Sequence, residues 1–135
     1  MAIFPEELLN KDVLTIDNVI AKMSYFFEQT HLYHLQTHSY SEHKALNKLY
    51  DELLDFKDEI AEKLMGYSGK RIKAFKIEPL LEYTEGCSTK LVSDIIFFAK
   101  KLELFGTNNN MPDINNIAQS LSGTAAQKKY LLTLK

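Results

Sequence analysis

The apolar side chains of this chain recur at alternating steps of three and four residues over long segments, which is the spacing of one helix face. The first such stripe predicts a helix over about residues 16–38 and the second a helix over about 41–66. Only a very short break at Ser39 to Ser41 separates the two stripes. A loop this short places two long helices side by side in opposite directions.

The second half of the chain repeats this pattern after an irregular stretch. Residues 67–85 have little periodicity and contain Pro79, so we expect a crossover connection there, with room for one short turn of helix. Two further stripes predict helices over about 88–105 and 112–134. Gly106 is expected to end the third helix, and Pro112 suits the first position of the fourth.

These elements predict one all-α domain over residues 1–135. A short first loop and a longer connection between the second and third helices match the ferritin-like four-helix bundle, which carries one long crossover. The composition agrees, because five Gly and three Pro in 135 residues leave few helix breakers. A chain of this size can build one modest core without metal or disulfide support.

Charge and hydropathy exclude several classes of function. The chain has 16 Lys and Arg against 18 Asp and Glu, so DNA binding is not expected, although residues 70–76 could form a local basic patch instead of a solvated loop. The longest apolar run is about five residues, far short of the roughly 20 that cross a membrane. Cys87 has no second cysteine to pair with. With no signal peptide in the first residues, we expect a cytoplasmic protein.

The histidines are the most unusual feature of the sequence. All four lie within thirteen residues, at His31, His34, His38 and His43. The first three are spaced by three and four residues and share one helix face, and His34 lies on the apolar stripe. Two interpretations are open: these are partly buried histidines bonded to backbone or threonine oxygens, or some of them are metal ligands.

Acidic residues crowd the second predicted helix. Asp58 and Glu62 are four residues apart, so their carboxylates lie on adjacent turns and could hold one cation. Carboxylate together with imidazole suits iron, manganese or zinc. The alternative is an ordinary solvated face, because Lys57 and Lys63 lie among the acidic residues and can form ion pairs with them.

Helix geometry limits how these groups could cooperate. His43 and Asp58 are fifteen residues apart on one predicted helix, which separates them by roughly 22 Å. They cannot bind the same ion within one chain. A shared site would therefore join two subunits of a homo-oligomer.

The same residues resemble the Dps-like miniferritins. The matching pieces are His34-Leu35-Gln36-Thr37, Glu42-His43 and the Asp58 to Glu62 segment. The resemblance implies a ferroxidase centre between two-fold-related subunits, with His34 and His43 from one and Asp58 and Glu62 from the other. It also implies that the site takes iron, or zinc or manganese in its place, that Fe²⁺ is oxidised by peroxide or oxygen, and that the subunits form a dimer or larger shell.

The chain as a whole is still more similar to an uncharacterised family of small tailed-phage proteins with a Dps-like first half. The similarity rests on residues 34–45, on the Asp58 to Glu62 segment and on residues 127–134. It implies a role in the infected host cytoplasm or in the virion, with other phage or host proteins as further partners.

A non-enzymatic function is the alternative. The bundle would then be the scaffold of a phage structural or host-interaction protein. Leu35 favours this alternative, because it stands where the miniferritins have Trp. The apolar end, residues 130–134, could dock into a neighbour instead of its own core.

Overall fold

The computed structural model describes residues 13–134 and consists of four α-helices without a strand in that range. The helices are α1 (Ile16–Gln36), α2 (Tyr40–Ser68), α3 (Cys87–Asn108) and α4 (Pro112–Leu131). The predicted all-α four-helix bundle is confirmed. None of the helices in this part of the chain is long and apolar enough to cross a membrane.

Local side-chain chemistry sets the ends of the first hairpin. Thr15 caps α1 by accepting a hydrogen bond from the backbone N–H of Asn18, whose side chain in turn accepts from the N–H of Thr15. Ser39 caps α2 in the same way through the N–H of Glu42. The helix α2 continues past Gly66 and ends at Gly69, whose left-handed φ of 69° suits glycine.

The second hairpin brings α3 and α4 into close contact. The helix α3 runs on through Gly106 instead of ending there. The glycine allows α4 to pack closely, because a Cβ at this position would lie 2.0 Å from Oδ1 of Asn115. The turn follows at Asn110, which has a positive φ of 56°. Pro112 then opens α4 as predicted.

The core lies where four neighbouring helix pairs meet. The helix α1 packs on α2 and α3, and α4 packs on α3 and α2. Fully enclosed side chains come from every helix, among them Met23, Leu49, Ile95 and Leu121. The charged side chain of Lys128 is enclosed with them: it is 2% exposed, and its Nζ lies 2.7 Å from Oε1 of Glu52 on α2.

The connection between α2 and α3, residues 69–86, is called the crossover below. It runs along α1: Glu78 pairs with Lys22, Leu81 bonds to Gln29, and Tyr83 bonds to Gln36. It therefore returns the chain to the end of the bundle where α2 begins, and α3 starts there.

The crossover contains no helix, although the sequence allowed one short helical turn there. A single backbone hydrogen bond, from the N–H of Cys87 to the C=O of Thr84, closes a turn just before α3. The side chain of Gln29 accepts a hydrogen bond from the N–H of Leu81 through Oε1 and donates one to the C=O of Leu81 through Nε2. The backbone of the crossover is thus partly satisfied by α1 instead of by a helix of its own.

Candidate functional site

The two histidines predicted as ligands lie in direct contact. His34, on the last turn of α1, and His43, on the first turn of α2, stack with ring centroids 3.9 Å apart and an interplanar angle of 21°. The short loop between the helices brings them together. His34 is 7% exposed, and His43 is half-buried.

Each imidazole is held by the other residue's backbone. Nδ1 of His34 lies 3.2 Å from the carbonyl oxygen of His43, and Nδ1 of His43 lies 3.0 Å from the carbonyl oxygen of His34. A carbonyl oxygen can only accept, so the hydrogen bonds assign the proton of each ring to Nδ1. In the neutral rings, both Nε2 atoms therefore carry a free lone pair.

Neither Nε2 makes a hydrogen bond within residues 13–134. Three side-chain atoms in this range are fully enclosed and make no hydrogen bond: Oγ of Ser24, Oγ of Ser88 and Oδ1 of Asn115. The Nε2 atoms of the two histidines, which also make no hydrogen bond, are not among these enclosed atoms. Both Nε2 atoms therefore reach the surface. An imidazole whose Nδ1–H is bonded to a carbonyl and whose Nε2 is free is oriented as metal-ligating histidines are.

Aromatic rings surround the histidine pair on one side. His31 stacks on His34 at 5.8 Å, and Tyr50 of α2 lies 4.9 Å from His31 and 5.2 Å from His34. Phe27 continues the row at 5.9 Å from Tyr50. His31 thus touches a candidate ligand, whereas His38 is exposed in the loop.

The structure does not bring the predicted carboxylates to the histidines of the same chain. Asp58 and Glu62 are both exposed, and they line a shallow depression together with Asp55, Glu59 and Lys63. Since α2 is one continuous helix, the separation of roughly 22 Å between His43 and Asp58 stands. In the part of the chain that the structure describes, no three His, Cys, Asp or Glu side chains converge as a metal site.

A second cluster, which the sequence reasoning missed, lies in a cleft of about 860 Å³ at the end of the bundle. Here Glu42 accepts hydrogen bonds from the hydroxyls of Thr37 at 2.5 Å and Tyr83 at 2.6 Å. Ser88 also lies beside this carboxylate, although outside ideal hydrogen-bond geometry. The cluster ties the first loop, the crossover and the start of α3 together.

The electrostatics of this cluster follow from its contacts. Burial raises the pKa of Glu42, but the surrounding hydroxyls of Ser88, Thr37 and Tyr83 outweigh it, so that its pKa is lowered. The bond to Glu42, with burial second, raises the pKa of Tyr83 to about 12. Because Oε1 of Glu42 accepts two hydrogen bonds from within the chain, we assign the cluster a structural role. In the sequence, the one indication of this cluster is that Glu42 stands three residues after Ser39, which is the spacing of a capping box.

Comparison with known proteins finds one family and one phage protein, both of unknown activity. It is 29% identical over 124 residues to an "Uncharacterized 14.6 kDa protein in mobD-ri intergenic region" of Enterobacteria phage T4, which covers 87% of this chain and 84% of the phage protein. No solved structure matches. The predicted similarity is confirmed in part, because the chain matches an uncharacterised family and an uncharacterised phage protein, but neither match is to a Dps or ferritin family. Residues 34–132 match the "Family of unknown function (DUF5856)", and the protein belongs to that family.

Proposed function

We propose that the protein binds and oxidises Fe²⁺ at a site shared by two subunits. His34 and His43 of one subunit supply imidazole nitrogens, and Asp58 and Glu62 of the other supply carboxylates. The observation that carries the proposal is the histidine pair, whose Nδ1 atoms are fixed by two backbone carbonyls and whose Nε2 atoms are free.

The donor set suits iron in both oxidation states. Imidazole binds Fe²⁺ well, and the hard carboxylate oxygens favour the Fe³⁺ product. Two Fe²⁺ ions supply the two electrons, and solvent the two protons, that reduce one hydrogen peroxide to two water molecules, so no acid–base dyad or nucleophile of the protein is required. Zinc or manganese could occupy the same donors without being oxidised by this route.

The exposure of Asp58 and Glu62 supports a site between chains. Both side chains point to solvent on α2, and the exposed apolar Leu54, 41% exposed, lies one turn before Asp58. In the proposed dimer, a two-fold axis relates the copies so that the histidine pair of one chain faces these carboxylates of the other. The bundle connectivity, with one long crossover, is also the one that ferritin-like proteins use.

Iron oxidation by purified protein tests the proposal. The rise of Fe³⁺ absorbance is followed after anaerobic loading with Fe²⁺ and addition of peroxide. We expect His43→Ala and Asp58→Ala each to lower bound Fe²⁺ and the oxidation rate at least about tenfold, as loss of one ligand does. His38→Ala and Asp55→Ala are matched controls, because both residues are exposed and neither is a proposed ligand.

The controls should keep wild-type rates. If all four variants bind and oxidise iron as the wild type does, the site is not where we place it.

Exposed apolar residues at the end of α4 favour a second candidate function, in which the bundle is a scaffold for a phage or host protein. Tyr130 is 62% exposed, and Leu134, which lines the cleft at the end of the bundle, is 47% exposed. On this alternative, the wild type binds no Fe²⁺ above the level of the ligand variants. The same iron titration therefore separates the two functions.

A further inference from the structure

The crossover runs in an extended form with one edge free. Its contacts with α1 from Lys22 to Gln36 cover about 21 Å of helix, and the five steps from Glu78 to Tyr83 reach at most about 18 Å. Only an extended chain, helped by side-chain reach, can make these contacts.

The free edge can be assigned to particular residues. Leu81 bonds to Gln29 through its N–H at 2.7 Å and its C=O at 3.0 Å, and the N–H of Tyr83 bonds to Gln36 at 3.0 Å. In extended chains, successive residues direct their backbone groups to opposite sides. Leu80 and Glu82 therefore direct theirs away from α1, and within residues 13–134 no hydrogen bond reaches these backbone groups.

Apolar side chains accompany this edge. Phe75 is 41% exposed, Ile77 36%, Leu80 40% and Leu81 58%, all within seven residues. An exposed apolar segment with an unpaired backbone edge is a template for pairing with another strand.

The charges of the crossover fit a second copy of itself. Its first half is basic and its second half acidic; the residues are Lys70, Arg71, Lys73 and Lys76, then Glu78, Glu82 and Glu85. In an antiparallel pair of two copies, the basic half of each chain lies against the acidic half of the other.

We propose that two copies of the chain pair their crossovers edge to edge, antiparallel, about a two-fold axis at Pro79. This register sets Glu82 against Lys76 of the other copy, and Ile77 against Leu81. An axis one residue later would set Glu78 against Glu82, which like charge disfavours. Pro79 lacks an N–H, but its backbone faces α1, so the free edge loses no donor.

This pairing is independent of the proposed iron site, because the two lie on different faces of α1. The crossover contacts Gln29 and Gln36, whereas His34 and Phe27 of the histidine cluster lie roughly 140–160° around the helix from Gln29.

Disulfide trapping tests the pairing directly. In a Cys87→Ala background, Pro79→Cys should cross-link the two chains under oxidised glutathione with EDTA, because residues at the axis lie about 4.5 Å apart, within the range for a disulfide. Lys73→Cys is the matched control on the same segment, with its copies roughly 40 Å apart in this register. Equal cross-linking of the two variants, or none for Pro79→Cys, overturns the proposal.

A charge swap tests the register without changing the proline. Lys76→Glu and Glu82→Lys should each weaken dimerisation about tenfold in sedimentation equilibrium, and the double variant should restore it. The swap does not restore the hydrogen bond from Gln36 to Glu82, so recovery reports pairing between chains. Failure of the double variant to recover contradicts the register.

The outcomes for pairing and for iron are separable. Asp58→Ala combined with Pro79→Cys should still cross-link while losing iron oxidation, which would support the pairing and the site together. If the wild type oxidises no iron but Pro79→Cys cross-links, the pairing stands and the proposed function fails. If iron is oxidised without cross-linking of Pro79→Cys, the pairing fails and the proposed function stands.

Discussion

The enclosed ion pair between α4 and α2 gives an asymmetric prediction for stability. Lys128 is 2% exposed, whereas the side chain of Glu52 is 39% exposed. Glu52→Gln removes the negative charge and leaves the buried ammonium group with neutral amide oxygens as acceptors, that of the new side chain and that of Gln127, 2.8 Å away. Breaking a buried pair in this way costs about 3–5 kcal/mol, and the partial exposure of Glu52 lowers our expectation to about 2–3 kcal/mol.

The opposite substitution should cost much less. Lys128→Met fills the same space with an apolar side chain, and the carboxylate of Glu52 can turn to water. We expect a loss below about 1 kcal/mol, because apolar replacement of a buried charge is often neutral. The two substitutions remove the same ion pair, so their difference isolates the cost of an uncompensated buried charge.

Urea unfolding followed by far-ultraviolet circular dichroism measures both costs. Protomer concentration is kept fixed, because association adds to apparent stability. Glu59→Gln is the control: its pair with Lys63 is exposed and 4.0 Å long, and we expect a change below about 0.5 kcal/mol. Equal losses for Glu52→Gln and Lys128→Met, or a larger loss for the latter, would refute this reasoning.

Four further predictions concern pH and packing. The lowered pKa of Glu42 means that its contribution to stability is present at neutral pH and is lost below about pH 4. The free energy of unfolding of Glu42→Gln should therefore fall less than that of the wild type as the pH is lowered through this range. The pKa of Tyr83, raised to about 12, gives a contribution that is present below about pH 10 and lost as pH rises towards 12, which Tyr83→Phe should remove from the alkaline limb. Gly123→Ala should stabilise α4 by about 0.5–1 kcal/mol, because no atom lies within 4 Å of the new Cβ. Gly106→Ala should destabilise by about 1–3 kcal/mol through its clash with Asn115; thermal melts that show the same sign for both glycines would contradict this.

The helices could be predicted because their signals are local. Alternating steps of three and four locate each apolar stripe, and the capping residues Thr15 and Ser39 fix two of the starts. The ends of α2 and α3 were predicted less well, because Gly66 and Gly106 look like helix stops in the sequence. Gly69 ends α2 instead, and close packing against α4 explains Gly106.

The histidine contact is local as well, since a three-residue loop joins the helices that carry His34 and His43. Its orientation was not predictable, because the two carbonyls that bind the rings belong to backbone whose position depends on the loop. The contacts of Gln29 and of Lys128 could not be predicted either. Each joins residues far apart in the chain, and no periodic pattern specifies the partner.

The central claim, a site built from two subunits, is tested most directly by mixing two inactive variants. His43→Ala and Asp58→Ala are unfolded together in equal amounts, refolded, and assayed for Fe²⁺ oxidation by peroxide. Half of the resulting two-fold dimers contain one chain of each variant, and each of these holds one intact site, so we predict recovery to about a quarter of the wild-type rate. Activity that stays at the level of the separately refolded variants would contradict the account.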